Sequence, residues 1–196
     1  MATTPQSATI TLDDFLASAE LSEERSELVD GRVVALGAAS FAHNLIVTNI
    51  SGTLFTALRG TTCRVVSQGM LVKPNRSENA FLPDVAVFCG GAELEPRRLE
   101  LLLNPVVLVE VLSPTTADYE HGKKWENYRR LSSLRDYLLV SQEQVRVEWY
   151  TRQGEAFWLF SEVEGHDGEV GLESIGVTLR LAEIYEGVLP ADGQSA

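Results

Sequence analysis

The sequence predicts an α/β fold in which one sheet carries a helix on each face and an antiparallel hairpin extension. Residues 81–88 and 105–114 are short apolar runs, rich in β-branched side chains and bounded by breakers, which is typical of strands. The second run is apolar on both faces, as in a strand that is covered from both sides. Apolar positions recur at helical spacing over residues 40–58 and 118–131, which predicts the flanking helices.

The first elements along the chain are a helix, a hairpin and a longer helix. Thr11 is a suitable N-cap for the first helix, with Asp14 at the third helical position. Residues 27–34 are expected to form a hairpin, since Asp30-Gly31 favours the tight turn between two strands. The long helix of residues 40–58 is expected to end at Gly60.

The middle and the end of the chain alternate short strands with helices. Residues 63–67 and 70–73 are expected to form a strand that a bulge interrupts near Gly69. A short helix is expected over residues 97–103, between the two apolar runs. After the helix of residues 118–131, the pattern predicts three strands joined by short turns, at residues 137–140, 145–150 and 156–160. A closing helical turn is expected at residues 179–185.

The composition is that of a globular protein with a sizeable core. We expect a single domain over residues 1–196, with an ordered core from about residue 10 to residue 185. No apolar run is long enough to span a bilayer and no export signal is visible, so we expect no membrane partner. Cys63 and Cys89 lie in apolar runs without metal-ligand spacing, which favours buried reduced thiols and a cytoplasmic location.

The charge distribution limits the classes of nucleic-acid-binding protein to which the chain can belong. A net charge of −12 argues against a general nucleic-acid coat. However, residues 121–152 carry seven Lys or Arg residues and four acids, a net +3, while residues 161–196 have one Arg and eight acids, a net −7. The basic segment either presents a positive face to a partner or is a solvated helix and hairpin.

Two carboxylates on the apolar runs are the main candidates for chemistry. Asp84 follows Pro83 in the first run, and Glu110 interrupts the second run, where a charge is costly unless it is paired or binds a metal. Hard divalent cations prefer oxygen ligands, so this pair predicts a site for Mg²⁺ or Mn²⁺ and hence phosphate chemistry. Either Lys123 or Lys124, on the following helix, could stabilise charge that develops on a phosphate.

An ordered set of motifs resembles a known family. The set comprises Pro83-Asp84, the run Glu110-Val111-Leu112-Ser113-Pro114, residues 122–130 (GKKWENYRR), residues 134–140 (LRDYLLV) and the upstream Glu27-Leu28-Val29-Asp30-Gly31. Over roughly residues 10–185 the chain resembles the Uma-type putative restriction endonucleases of the PD-(D/E)XK nuclease superfamily. The resemblance implies a restriction-endonuclease-like mixed sheet flanked by helices and a metal-dependent endonuclease that hydrolyses DNA phosphodiester bonds. It also implies that Asp84 and Glu110 are metal ligands and that Glu27 is an additional acid of the site.

The chain departs from the superfamily pattern at one position. The superfamily has a lysine two residues after the second acid, and Leu112 stands there in this chain. Either the lysine function has moved to Lys124, with Lys123 as its rival, or the site is impaired. For His43, at the start of its helix, a capping or core role is favoured over a role in a cleft.

Three functions therefore remain open from the sequence. The first is a Mg²⁺-dependent endonuclease acting on DNA, expected to be a homodimer because enzymes that cut both strands often pair two sites by two-fold symmetry. The second is a catalytically impaired protein of nuclease fold that binds nucleic acid or a protein partner. The third is an interaction module for a basic partner, which the net charge suggests.

Overall fold

The computed structural model describes residues 9–67, 69–74, 77–113 and 117–188, which form helices around a central sheet. The helices are α1 (Leu12–Ala19), α2 (Phe41–Ala57), α3 (Ala117–Tyr119), α4 (Trp125–Tyr128) and α5 (Leu181–Ile184), with a π-helical turn (Glu120–Lys124) between α3 and α4. The strands are β1 (Ser26–Val29), β2 (Arg32–Ala35), β3 (Cys63–Ser67), β4 (Leu71–Val72), β5 (Val85–Cys89), β6 (Leu94–Glu95), β7 (Leu101–Leu102), β8 (Pro105–Leu112), β9 (Asp136–Ser141), β10 (Arg146–Gln153), β11 (Phe157–Glu164), β12 (Glu169–Leu172) and β13 (Val177–Arg180).

The central sheet has six strands in the order β11-β10-β9-β8-β5-β3. The β8–β9 pair is parallel and the other pairs are antiparallel, so the sheet is mixed. The parallel pair needs a crossover, and the helices of residues 117–128 provide it. β9, β10 and β11 continue the sheet as an antiparallel extension. The predicted mixed α/β fold is therefore confirmed.

Side chains of β8 alternate between two cores, one on each face of the sheet. On one face, β8 packs with α2, α5 and the β12–β13 hairpin, through Val107, Val109 and Val111. On the other face, Leu108 and Leu112 pack with residues of and after α4. Because side chains along a strand alternate with a period of two, Glu110 lies on the face of Leu108 and Leu112. The acid is thus buried beneath the crossover helices.

A third core joins the N-terminal part of the chain to the sheet region. Thr11 caps α1 by accepting a hydrogen bond from the Asp14 backbone N–H, as predicted. The β1–β2 hairpin turns at Asp30 and Gly31, whose φ angles of 50° and 74° are those of a tight hairpin turn. Leu28 pairs with Ala80 through backbone hydrogen bonds. This pairing brings β1, and with it Glu27, next to the segment that leads into the first residue of β5.

The crossover helix is not a regular α-helix throughout. The predicted helix of residues 118–131 begins near the expected place but contains the π-helical turn and ends at Tyr128. Inserted π turns are frequent at functional sites. Here the turn begins with Glu120 and ends with Lys124, and both side chains are buried. The local geometry therefore presents an acid and a lysine to the interior.

Four other expectations need correction. Cys63 and Cys89 form a disulfide rather than reduced thiols, because antiparallel pairing of β3 with β5 sets them directly opposite each other. Residues 97–103 contain the strand β7 and no helix. Residues 63–67 and 71–72 belong to separate sheets rather than one interrupted strand. The β12–β13 hairpin was not predicted; α5 follows it, where a helical turn was expected.

In the part of the chain that the structure describes, no helix is long and apolar enough to cross a membrane.

Candidate functional site

Asp84 and Glu110 come from neighbouring segments of the central sheet. Glu110 lies on β8, and Asp84 immediately precedes β5, whose first residue, Val85, pairs with Val109 of β8. Both side chains are buried, and both line the same cleft. The two carboxyl groups therefore face one cleft beside the start of β5.

Lys124 lies at the centre of a cluster of three glutamates. Its Nζ is 2.9 Å from Glu27 Oε1, 2.9 Å from Glu110 Oε1 and 3.2 Å from Glu120 Oε2. These acids come from the first hairpin, the central strand and the π turn. Only 2% of the Lys124 side chain is exposed, so its charge depends on these contacts.

Two phenols and a backbone amide fix the orientation of the acids. The Tyr119 hydroxyl donates to Glu27 Oε2 at 2.7 Å, and the Leu82 N–H donates to Glu27 Oε1 at 2.9 Å. The Tyr128 hydroxyl donates to Glu110 Oε1 at 3.0 Å. Tyr128 stands four residues after Lys124, so the Lys-x-x-x-Tyr spacing of the sequence brings both donors to the same oxygen.

Asp84 is held separately from the lysine cluster. Its Oδ2 accepts a hydrogen bond of 2.8 Å from the Val111 backbone N–H, and its Oδ1 lies 3.0 Å from Nε2 of His43. The expected capping or core role of His43 is wrong, because Ser40 is the N-cap of α2 and the His43 ring contacts the candidate metal ligand. His43 is thus a site residue that sequence reasoning ranked too low.

The electrostatics of the cluster follow from burial and from an excess of acid. Burial, and then the charge of Glu120, raise the pKa of Glu110 well above its usual value, although Lys124 opposes this. Burial raises the pKa of Glu120 to about 7, again against the attraction of Lys124. Burial disfavours the charged form of Lys124, but the surrounding carboxylates outweigh it and raise its pKa. The lysine is therefore charged, and its single positive charge is shared by the three acids around it.

Glu120 is the second residue that the sequence reasoning missed. It is buried, and its Oε2 accepts no hydrogen bond within the described part of the chain, although Lys124 Nζ lies nearby. The signal that could have identified it is its spacing, four residues before Lys124 on the same helical face. Its contact with a lysine already assigned to the site would then have been expected.

These side chains line a cleft of about 550 Å³. Its lining includes Arg25, residues 36–43 apart from Phe41, and the side chains of Asp84, Glu110, Glu120 and Lys124. Glu27 is fully buried behind Lys124 and does not line the cleft. Substrate entering the cleft would therefore meet Asp84, Glu110 and Lys124, with Glu27 holding Lys124 from behind.

The donor set of the cleft fits a hard divalent cation. Within the described residues, no three His, Cys, Asp or Glu side chains form a preformed metal cluster. Mg²⁺ sites commonly use one or two carboxylates, with waters and substrate phosphates completing the shell. Asp84 and Glu110 supply two such carboxylates to one cleft, and the second oxygen of Glu110, Oε2, accepts no hydrogen bond from any described residue. The pair therefore suits a site that substrate completes.

The structure separates the two lysine candidates and places Leu112. Lys123 Nζ pairs with Asp30 Oδ2 at 2.6 Å, and 36% of its side chain is exposed. Leu112 is buried in the second core with Leu108 and Tyr128. Lys124 is thus the lysine that reaches the carboxylates, from the helix rather than from β8. Its part in catalysis, like that of Asp84, Glu110 and Glu27, stays a prediction.

Comparison with known proteins agrees with this fold and with the motifs. The chain is similar to two uncharacterized proteins of Synechocystis sp.: one is 30% identical over 176 residues (90% of this chain, 91% of that protein), the other 29% over 161 residues (82% and 91%). A crystal structure from Anabaena variabilis, described as a putative nuclease belonging to DUF820, matches with a TM-score of 0.73 and 19% identity, covering 92% of this chain and 99% of that one. At that identity the likeness shows the fold alone. The model of the Uma2 family, described as "Putative restriction endonuclease", matches residues 12–182, so the chain belongs to that family, as its motifs indicated.

Proposed function

We propose that the protein is a metal-dependent endonuclease that hydrolyses DNA phosphodiester bonds, with Mg²⁺ or Mn²⁺ held by Asp84 and Glu110. The observation that carries the proposal is a pair of buried carboxylates, Asp84 just before β5 and Glu110 on the adjacent strand β8, which line one cleft together with a charged lysine. Membership of the family described as "Putative restriction endonuclease" supports phosphodiester hydrolysis as the reaction and DNA as the substrate.

Each residue has a distinct task in this proposal. A divalent ion bound there would act as a Lewis acid and lower the pKa of a water molecule, which makes a nucleophile available near neutral pH. The Val111 N–H and His43 orient Asp84, and Tyr128 orients Glu110. The Lys124 ammonium stabilises negative charge that develops on the phosphate in the transition state. Glu27 is a positioning residue, because its contact with Lys124 fixes where that charge lies.

A catalytically impaired protein that binds DNA or a protein partner is the second candidate. Two observations favour it: Leu112 replaces the usual lysine, and the described residues hold no preformed cluster of three metal-binding side chains. It predicts DNA binding without cleavage at any concentration of Mg²⁺ or Mn²⁺.

Cleavage of supercoiled plasmid DNA distinguishes the two candidates. We expect the wild type to nick the plasmid with Mg²⁺ or Mn²⁺ and not with EDTA, and Asp84→Asn to be inactive while it remains folded. Asp30→Asn is the matched control, since Asp30 is a surface acid paired with Lys123 outside the cleft. Mg²⁺ should also raise the melting temperature of the wild type, because an ion that binds only the native state stabilises it. Absence of cleavage by the wild type under all conditions would favour the impaired candidate.

The same assay decides between the lysines. Lys124→Ala should reduce turnover by orders of magnitude, because the lysine acts on charge formed in the transition state. Lys123→Ala should have a mild effect, since its ammonium pairs with Asp30. A dead Lys123 variant beside an active Lys124 variant would reverse this assignment.

The remaining parts of the proposal concern assembly and location. Cutting both strands of a duplex favours a homodimer in which two-fold symmetry relates two active sites. Sedimentation at several protein concentrations would test this. We also propose a cytoplasmic site of action, where DNA is accessible, although the Cys63–Cys89 disulfide removes the support that reduced thiols would have given it.

A further inference from the structure

Arg25 is a cationic side chain of the cleft that has no acidic partner among the described residues. It lines the same cleft as the carboxylates and lies at the start of the first hairpin. Its Nε is buried without a hydrogen bond, and its guanidinium makes no ion pair with any described residue. Lys124, by contrast, is committed to three carboxylates. Because burying a polar group without a partner is costly, Arg25 is suited to an anionic ligand that the free protein lacks.

Phe41 is an exposed aromatic residue whose neighbours in the sequence line the same cleft. It is the first residue of α2, and 80% of it is exposed although its neighbours Ser40, Ala42 and His43 all line the cleft. An aromatic ring in that position has no packing role within the described chain. Such rings form stacking platforms for the bases of single-stranded nucleic acids, where each stacked base contributes about 1–3 kcal/mol.

We propose that Arg25 and Phe41 form a nucleotide subsite on the cleft wall, in which Arg25 binds a backbone phosphate next to the scissile one and Phe41 stacks on an unpaired base. This inference rests on the proposed nuclease function and specifies the segment of DNA that the site binds: an unpaired stretch, in a single strand or in the frayed or unpaired part of a duplex such as a supercoiled plasmid. A base that is paired in a duplex stacks on its neighbours and cannot offer its face to the ring. Arginine suits the phosphate because its planar fork binds two phosphate oxygens at once.

The charge of the protein supports a compact subsite rather than an extended groove. With a net charge of −12, the molecule as a whole repels a polyanion. Affinity must then come from a few local contacts that outweigh this repulsion. A stacked base and one bidentate phosphate contact, beside a metal site, supply contacts of that kind.

The chain offers a matched control for each residue. Arg32 lies on the same hairpin, is exposed, makes no ion pair with any described residue and does not line the cleft. Phe55 lies on the same helix as Phe41, is 57% exposed and also lies outside the cleft. Arg25→Gln is therefore compared with Arg32→Gln, and Phe41→Ala with Phe55→Ala.

The experiment measures equilibrium binding of a fluorescent single-stranded DNA and of the corresponding duplex by anisotropy, across a series of salt concentrations. Ca²⁺ replaces Mg²⁺ as a hard cation that the same oxygens can bind, and gels check that the DNA stays intact. We expect the wild type to bind the single strand more tightly than the duplex. Arg25→Gln should reduce the slope of log K against log salt by about 0.7, the value for one phosphate contact with a single strand. A merely structural role for Arg25 would not change that slope.

Phe41→Ala should weaken binding of the single strand roughly 5- to 150-fold while leaving the salt slope unchanged, because stacking does not release counterions. The subsite is refuted if either variant behaves like its control, if the duplex binds as tightly as the single strand, or if the wild type binds neither DNA. Because binding is measured without turnover, these effects in a protein that never cleaves DNA would sink the proposed nuclease function and leave the subsite standing.

Discussion

Replacing Lys124 by Met removes the one cation at the centre of the glutamate cluster while keeping a side chain of similar length. The ammonium lies within 3.2 Å of Glu27, Glu110 and Glu120, and the lysine is almost completely buried. Without it, Glu27 keeps the Tyr119 and Leu82 donors, whereas Glu120 keeps no hydrogen-bond donor for Oε2. The variant therefore buries several acids and no compensating charge.

The magnitude can be worked out from this geometry. Breaking a buried ion pair by removing one partner typically costs about 3–5 kcal/mol. In the variant the acids can relieve part of this cost by protonation, because the lysine no longer favours their charged forms. The pKa values of Glu110 and Glu120, already raised by burial, should rise further. A protein that contains a carboxyl group with a raised folded-state pKa becomes less stable as the pH rises. The loss of unfolding free energy caused by Lys124→Met should therefore be small at pH 5 and approach about 3–5 kcal/mol at pH 8.

Urea unfolding at pH 5 and pH 8 measures this cost for Lys124→Met, with Lys123→Met as the control. Lys123 is partly exposed and pairs with Asp30 at the surface, so its loss should cost at most about 1 kcal/mol at either pH. The interpretation is refuted if Lys124→Met costs less than about 1 kcal/mol at pH 8, or if its cost is the same at both pH values. Either outcome would mean that the lysine is not the charged centre of the cluster.

Two further predictions concern stability. The Glu120→Gln variant should be about as stable as the wild type at pH 5 and more stable than the wild type by up to about 3 kcal/mol at pH 8. The reason is that folding raises the pKa of Glu120 from 4.5 to about 7, so the wild-type protein loses stability as the pH rises between those values, whereas the variant does not. Equal urea midpoints for the two proteins at pH 8 would contradict this. Reducing the Cys63–Cys89 disulfide, which closes a loop of 26 residues, should lower the free energy of unfolding by about 3 kcal/mol, and thiol titration of the denatured, unreduced protein should find no free thiol; two titratable thiols would show that the bond is absent.

The sequence alone determined the features that depend on local periodicity. The Asp30-Gly31 turn, the Thr11 cap and the helix α2 each follow from residues close together in the chain. Alternation along a strand indicated that Glu110 interrupts a buried apolar run. Helical spacing favoured Lys124 over Lys123, because Lys124 stands four residues before Tyr128, one helical turn away.

Tertiary structure decided everything that depends on which distant segments meet. The pairing of β5 with β8 brings Asp84 and Glu110 to one cleft, and pairing of β3 with β5 joins the two cysteines. Neither register can be read from a local pattern, because each apolar strand could pair with several partners. The contacts of His43 with Asp84 and of Lys124 with Glu27 arise in the same way, from elements that are far apart in the chain. The candidate acids Asp84 and Glu110 could thus be named from the sequence. The contacts that His43 and Lys124 make with the acids could be identified only from the tertiary structure, because they join segments that are far apart in the chain.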